Sequence, residues 1–480
     1  MQGFKGLVGF CSLFISLFIS LSVTAGQGLS FFHGDWQVVC DSTNTCRAVG
    51  YHNSEQQNKL GEYAPVSVIF ERAAGANAQI KGKVKFGASS YKVDSNQTPN
   101  EAIALTINDS YQSQLGAKMP AYEELGMSFS DERELTKEQV SHLLNALTMK
   151  GNVAIKFNSS AGEEWRLSTT GSTAVLLKMD DFQGLVNTPF AIVKKGPRTT
   201  NIVQPKQAPV ISIPEPLPVT TDADSALAKN SDFISRIQTA VNQSCDIAPA
   251  EDGKLDLNVA RLSEHLLVVT APCWSAAYNY GDGVWIVDDN PNIEPKFITD
   301  SATNYANGII DEFMKGRGIA DCVSARRLIW NGSDFILADD YSTGDCREIA
   351  MGGAWYLPTK VSTVILGNDP AAGIDCQSEQ AYNTEGMVKC TQRSLASVEL
   401  KIALLIDTIH QYLNATNNAD LSRAIKTAQE SWLSYRNDVC RVVRLTHADG
   451  SMSLPLMVGC KLELTEKRLK QLQMTKKSLI

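Results

Sequence analysis

The apolar positions of this chain change period once along its length. Up to about residue 364 they come in short runs of strand length. Asp35-Trp-Gln-Val-Val-Cys40, Pro65-Val-Ser-Val-Ile-Phe70, Ala78 to Phe86, Glu101 to Ile107 and Asn152 to Phe157 are rich in β-branched and aromatic residues and are bounded by polar turns. One helix interrupts them. Thr136 stands three residues before Gln139, a capping box, and Val140, Leu143, Leu144 and Leu147 follow as one stripe, so the spacing predicts a helix from Lys137 to Met149. Ala174 to Met179 reads as strand or short helix, and Asp180 to Gly184 as a turn. Residues 29–196 are therefore expected to form an antiparallel β-sandwich with a helix packed on it.

Six prolines between Pro197 and Pro218 predict an extended, semi-rigid spacer over residues 197–224. A second β-rich α+β region is expected over residues 226–364. It opens with a helix from Ser231 to Ser244. Strands are expected at Lys254 to Leu257, His265 to Thr270, Gly283 to Val287, Arg327 to Trp330, Phe335 to Ala338 and Ala354 to Leu357, with a hairpin turn at Asn331-Gly332. From residue 371 onwards the period becomes helical. Val398, Ile402, Leu405, Ile409 and Tyr412 mark one helix; Leu421, Ile425, Ala428, Trp432, Tyr435 and Val439 mark a second, with Asp420 as its N-cap; a third runs from about Leu456 to Leu472. Short loops between periodic helices predict a small antiparallel bundle. The expected whole is multi-domain α+β: two antiparallel β-rich domains, then a disulfide-braced helical bundle.

Composition adds the compartment. Lys5 followed by the apolar stretch Leu7 to Val23 and the small-residue site Val23-Thr24-Ala25 reads as an export signal over residues 1–25, with a retained anchor as the alternative. No later stretch is long and apolar enough to span a bilayer. Ten cysteines follow the signal, an even number that in an exported chain reads as disulfides. Sequence-local pairing suggests Cys40–Cys46, Cys245–Cys273 and Cys322–Cys346. Cys376, Cys390, Cys440 and Cys460 pair either as 376–390 with 440–460 or across helices. No C-x-x-C is present and the six histidines are scattered, so zinc is not expected, nor any other cofactor. A net charge of −8 gives the chain no electrostatic case for nucleic acid.

Several motifs carry a resemblance. Phe32-His33-Gly-Asp35-Trp36, Cys40-Asp41-x-Thr-x-Thr45-Cys46-Arg47-Ala48-x-Gly50-Tyr51 and Pro65-Val-Ser-Val stand in the first half. Pro272-Cys273-Trp274-x-x-Ala277-Tyr278-Asn279, Trp285-x-Val-Asp288-Asp289, Lys315-Gly-Arg317-Gly-x-x-Asp321-Cys322 and Trp330-x-Gly-x-x-Phe335 stand in the second. On these, residues 31–361 resemble a family of exported Gram-negative proteins known as domain of unknown function 1176. That implies an envelope location and no established activity. The early Asp-Trp-x-x-x-Cys strand also looks like the invasion-associated locus B family. Thr384-x-x-Met387-x-x-Cys390, Ala428-Gln429-x-x-Trp432-x-x-Tyr435-Arg436-x-x-x-Cys440, Gly450-Ser451, Cys460 and Thr465-x-x-Arg468-x-x-x-Leu472 make residues 376–472 similar to LprI-type lysozyme inhibitors. One departure stands on the first long helix, where Ile409-His410-Gln-Tyr412 replaces the family's Leu-Asn-x-x-Tyr.

Candidate chemistry is sparse. Neighbouring residues of a strand face opposite sides, so Asp288 with Asp289, or Asp339 with Asp340, do not make an acid/base pair, and they read as solvated turn carboxylates. Lys315-Gly-Arg-Gly318 lacks P-loop spacing and reads as a turn beside Cys322. No Gly-x-Ser-x-Gly nucleophile motif occurs. The chain is therefore expected to be a non-enzymatic periplasmic protein. Its task would be binding, as a lysozyme-inhibitor-like module at the C-terminal end; the alternative is a cell-envelope scaffold that binds another envelope protein. Residues 371–480 hold 14 Lys and Arg against 11 Asp and Glu, a balance of +3, which leaves 30 against 41, or −11, for the rest. Purely electrostatic capture of a cationic lysozyme is thus disfavoured for the module, and a rigid loop that plugs a cleft is preferred. The candidate is Thr446 to Ser453, with His447, Ala448, Asp449, Gly450 and Ser451 at its tip.

Overall fold

The computed structural model describes residues 28–53, 55, 61, 64–87, 102–117, 131–245 and 255–479; the export-signal reading of residues 1–25 lies outside them. The first β region runs β1 Leu29–His33, β2 Trp36–Cys40, β3 Cys46–Tyr51, β4 Val66–Arg72, β5 Lys81–Phe86, β6 Ile103–Ile107, β7 Tyr111–Gln114, β8 Asp131–Leu135, α1 Lys137–Thr148, β9 Ile155–Ser159, β10 Glu164–Leu167 and α2 Ser172–Phe182. The strands form an antiparallel six-stranded sheet, β1-β2-β3-β4-β5-β8, and a four-stranded sheet, β10-β9-β6-β7. The α1 capping box forms as its spacing predicts: Thr136 accepts from the Gln139 N–H, and Gln139 accepts from the Thr136 N–H at 2.9 Å.

Both faces of the six-stranded sheet are covered, which is why β2 is buried along its whole length and β4 everywhere but at Glu71. Trp36, Val38, Val68, Phe70 and Val84 face inwards against Leu105 and Phe157 of the second sheet, Leu143 and Leu147 of α1, and Leu176 and Met179 of α2. Val39, Val49, Tyr51 and Ile69 face the other way and pack against Ile349, Ala354, Trp355 and Leu357. Those last four residues belong to the region read as a separate second domain over 226–364. The core therefore does not divide where the linker composition placed the division.

The proline-rich segment departs from its reading as a spacer. Val203 and Lys206 donate backbone hydrogen bonds to Gln183 and Thr43. Residues 210–213 then form β11, Val210–Ile213, which pairs in parallel with a strand at Thr363–Leu366. Val-Ile-Ser-Ile is a β-forming run between Pro209 and Pro214, and prolines at both ends are compatible with a strand because neither has to donate within it. The short helix α3, Asp222–Ala226, and α4, Ser231–Ser244, follow.

Two antiparallel meanders come next. The first is β12 Asn258–Arg261, β13 Leu266–Ser275, β14 Tyr280–Asp288 and β15 Lys296–Ala302. The second is β16 Asn304–Ala306, β17 Ile309–Lys315, β18 Val323–Trp330, β19 Phe335–Ser342 and β20 Leu357–Lys360, before β21 Thr363–Leu366. Ile237 and Val241 of α4 cover one face of the first meander with Val269, Trp285 and Val287. Its other face, Val268, Val284 and Ile286, meets Ile310, Leu328, Trp330 and Phe335 of the second. The far side of the second meander, Ile309, Ile329 and Ala338, packs with Ile211 and Ile213 of β11 and with Leu400.

Leu400 lies on α5, Thr384–Ala415, the first of three long helices; α6 is Ala419–Thr446 and α7 is Ser453–Leu479. Arg393 clamps the approach to α5 by a bidentate pair with Asp369, at 2.8 and 2.7 Å, and by donating to the Ala371 carbonyl. All five cysteine pairs are sequence-local, and the last four resolve to Cys376–Cys390 and Cys440–Cys460. No helix among the described residues is long and apolar enough to cross a membrane.

One buried group makes stability depend on pH. His52 is fully buried at the end of β3, and its Nδ1 accepts the Val66 N–H at 3.2 Å. Burial, aided by the nearby Arg347 charge, pushes its pKa from 6.5 down to about 4. The unfolded chain then binds a proton near pH 6.5 that the folded chain refuses until about pH 4. This contribution is complete above pH 6.5 and is lost as pH falls towards 4. Between pH 7.5 and 4.5 it removes about 2.5 kcal/mol. Urea midpoints of wild type and His52→Gln at both pH values measure it; the variant is expected to lose less stability on acidification than wild type.

Candidate functional site

The motif residues of the β regions hold structure together. Trp36 is buried, donates from Nε1 to the Ser168 carbonyl at 2.7 Å, and lies over Gly50, where a Cβ would sit 2.2 Å from the ring. Arg47 pairs with Asp41 at 2.7 Å and Glu71 at 2.8 Å. Trp274 lies half-buried against Gly281 of the next strand. Arg317 forms an ion pair with Asp321 on two guanidinium nitrogens and reaches Glu348 at 3.4 Å. The Lys315-Gly-Arg-Gly turn is thus a bracket beside the Cys322–Cys346 bridge, and Gly316 is required because a Cβ there would sit 2.4 Å from the Cys322 sulfur. Asn279 joins the two meanders by exchanging hydrogen bonds with the Lys315 backbone, both at 2.9 Å.

These separate motifs converge on residues 345–348. The Asp345 N–H donates to the Tyr51 hydroxyl at 3.0 Å, Arg347 pairs with Asp35 at 3.2 Å, and the Glu348 N–H donates to Asp321 at 2.7 Å. Sequence reading found each motif but not this meeting point, because its partners are up to about three hundred residues apart. Asp339 and Asp340 correct their reading as solvated turn residues. Both lie in β19 and are half-buried, and burial raises the Asp339 carboxyl. A cavity of about 180 Å³ is lined by Arg72, Ile80, Leu185 and Phe190 among others. It is below the range of roughly 300–1,000 Å³ that holds a drug-sized ligand.

The helical motif builds a polar seam inside the bundle. Arg436 is buried on α6; its Nη1 donates to Glu399 of α5 at 2.6 Å and to the Thr465 hydroxyl of α7 at 2.9 Å. Its guanidinium lies 5.3 Å from the centre of the Trp432 ring, and Arg468 of α7 lies 5.8 Å from it. Arg468 donates to Gln429 at 3.0 Å, and burial holds its guanidinium below its ordinary value. The three helices are thus tied by one arginine and one indole.

The stripe predicted for α6 is rotated by one residue. Ile425 is buried as expected, but beyond it Ala428 is exposed and Tyr435 is 57% exposed, whereas Arg436 and Cys440 are buried. Ranking by hydrophobicity puts tyrosine inside and arginine outside. Here a carboxylate, a hydroxyl and an aromatic face replace much of the water around Arg436, although its Nε stays buried without a partner among the described residues. Arg436→Ala is expected to destabilise the bundle by about 2–3 kcal/mol, read as a lower denaturant midpoint of its helical signal, with Arg436→Lys recovering only part. The departure at Ile409-His410 is accommodated: Ile409 is fully buried and His410 Nδ1 meets the Ser422 hydroxyl at 2.6 Å.

The loop between α6 and α7 stands where the sequence placed it, with the helices slightly longer than expected on both sides. Cys440–Cys460 links the helices that flank it. Internal bonds fix it further: the Gly450 N–H donates to the His447 carbonyl at 3.0 Å, and the Ser453 hydroxyl to the Arg444 carbonyl at 3.0 Å. Residues 447–452, including His447, Asp449, Gly450 and Ser451, are exposed. So are the aliphatic side chains beside them, Val442, Leu445, Met452, Leu454 and Leu456. Five exposed aliphatics thus flank one braced turn at the end of the bundle. Sequence reading chose the loop for its polarity and missed these side chains.

The comparisons agree with this division. Residues 30–362 match the family model described as Protein of unknown function (DUF1176), and the chain belongs to that family. Residues 376–472 match the model Lysozyme inhibitor LprI, so a lysozyme-inhibitor domain follows the first in the N-to-C order. Neither the curated proteins nor the solved structures provide a match.

Proposed function

We propose that this chain is an exported, non-enzymatic binding protein of the periplasm whose helical domain inhibits a lysozyme, with the β body as its platform. The carrying observation is the match of residues 376–472 to the lysozyme-inhibitor family together with a disulfide-braced, internally hydrogen-bonded tip flanked by exposed aliphatics. A rigid apolar projection is suited to filling a cleft, because little entropy is lost when it binds. Five disulfides support an oxidising compartment, as the signal-like residues 1–25 do.

A binding role rather than catalysis is supported by how the body uses its acids. Asp41, Asp180, Asp224, Asp311, Asp321 and Asp369 each pair with an arginine. The reading is tested by lysis of peptidoglycan with lysozymes of several classes and the oxidised full-length chain. Dose-dependent inhibition that is lost in the Cys440→Ser, Cys460→Ser double variant is the expected result. Undiminished lysis at high molar excess over every class overturns it.

A further inference from the structure

Within the tip, charge and apolar surface are arranged together. Arg441 and Arg444 are both exposed, three residues apart on the last turns of α6, and neither makes an ion pair among the described residues. Side chains at that spacing on a helix start roughly 5–6 Å apart. Val442 and Leu445, 59% and 61% exposed, alternate with them, and Met452 of the loop and Leu454 and Leu456 of the first turn of α7 are exposed on the other side of the turn. Arg441 is also an i,i+4 neighbour of Leu445. A pair of free cations set in an aliphatic surface is the complement of a pair of carboxylates in an apolar-walled cleft. A retaining glycoside hydrolase has such a pair, its two carboxyl groups about 5–5.5 Å apart.

We propose that the α6–α7 tip enters the substrate cleft of a lysozyme-type glycosidase, with Arg441 and Arg444 facing its two catalytic carboxylates and Val442, Leu445 and Leu454 against its walls. This rests on the inhibitor reading above and identifies the surface that performs it. The tip makes the close contacts, while the −11 balance of residues 1–370 attracts a cationic enzyme at longer range. The same charge distribution explains how a domain with a +3 balance can serve against a cationic target: its cations are concentrated where the enzyme is locally acidic.

The test measures inhibition by the oxidised full-length chain of lysozyme acting on a soluble chitooligosaccharide. Variants are Val442→Asp with Leu445→Asp, Arg441→Glu with Arg444→Glu, and Lys467→Glu on the exposed flank of α7 as the control. Far-ultraviolet circular dichroism checks that each variant is folded. Inhibition competitive with substrate, weakened about 100-fold by either double variant and unchanged by Lys467→Glu, is the expected result. Wild-type inhibition that is non-competitive, or equally strong in all variants, overturns this surface and leaves the inhibitor reading standing. No inhibition by wild type removes both. Loss of self-association or of vesicle binding in the tip variants, with lysozyme inhibition unchanged, assigns the patch to a second copy or a lipid surface and likewise overturns the proposal.

Discussion

Arg72→Met is expected to remove about 3–5 kcal/mol from the stability of the β body. Arg72 ends β4, and both it and Asp180 of α2 are essentially inaccessible, with Nη2 and Oδ1 2.8 Å apart. Asp180 also accepts the N–H groups of Ile192 and Val193, at 2.8 and 3.0 Å. Arg72 Nε donates to Gln183 at 2.6 Å, and Gln183 in turn donates to the carbonyls of Asn44 and Arg72. One ion pair therefore fixes the sheet, the end of α2 and the turn at Ile192 and Val193 that precedes the proline-rich segment. Methionine keeps most of the volume but leaves the Asp180 carboxylate buried without its cation, and a buried charge without a partner carries its full desolvation cost. Removing both charges in Arg72→Met with Asp180→Leu is expected to cost clearly less than the sum of the single changes. Urea unfolding of the four proteins gives the coupling energy directly. A double variant as unstable as that sum would contradict the assignment.

Trp355→Ala carries the second large effect, about 3–5 kcal/mol. Trp355 is 7% exposed and fills the space between the first sheet and residues 349–357. Its Nε1 donates to the Ser67 hydroxyl at 2.8 Å, and Lys85 lies over the ring at 4.7 Å. Alanine would leave a cavity between the two β regions and take away the donor to the Ser67 hydroxyl, which keeps only its own bond to the Gly50 carbonyl at 2.9 Å. Because this contact joins residues far apart in sequence, it also bears on cooperativity. Calorimetry of wild type is expected to show the β regions unfolding in one transition, and the variant to unfold at a lower temperature with the transition broadened or split. A wild-type profile already resolved into separate β transitions would contradict the interlocked core.

The expected architecture was legible wherever period and capping agreed. Helix α1 was fixed by the Thr136–Gln139 box and its leucine stripe, and α4 was placed residue for residue from its period. The three C-terminal helices follow from their spacing and three of the five disulfides from local pairing; between the two pairings open to the last four cysteines only the structure decides. What failed was non-local. Val210–Ile213 is a good strand former, but six surrounding prolines outweigh four residues in the sequence, and its partner strand at Thr363–Leu366 is far away along the chain. Of the turn expected over Asp180 to Gly184, Asp180 to Phe182 continue α2, held by a buried arginine more than a hundred residues earlier.

The candidate site divided in the same way. The loop after Cys440 was visible as a polar break between two cysteines. The exposed aliphatics beside it were not, because Val442 and Leu445 have the character of core residues and only the packing shows that, among the described residues, no other helix covers them. Trp432, Arg436, Arg468 and Gln429 were recognisable as motif residues, but their spacing did not show that they brace the bundle from inside. The family motif and the proposed recognition surface are therefore different residues: the first set shapes the bundle, and the second projects from its end.

Hydrogen exchange of the oxidised full-length chain, with and without a saturating lysozyme, tests the central claim most directly. Slowed exchange confined to the last turns of α6, the loop 447–452 and the first turns of α7, with the β regions unchanged, is the result the account predicts. Protection that falls instead on the β body, or on no segment at all, would contradict it.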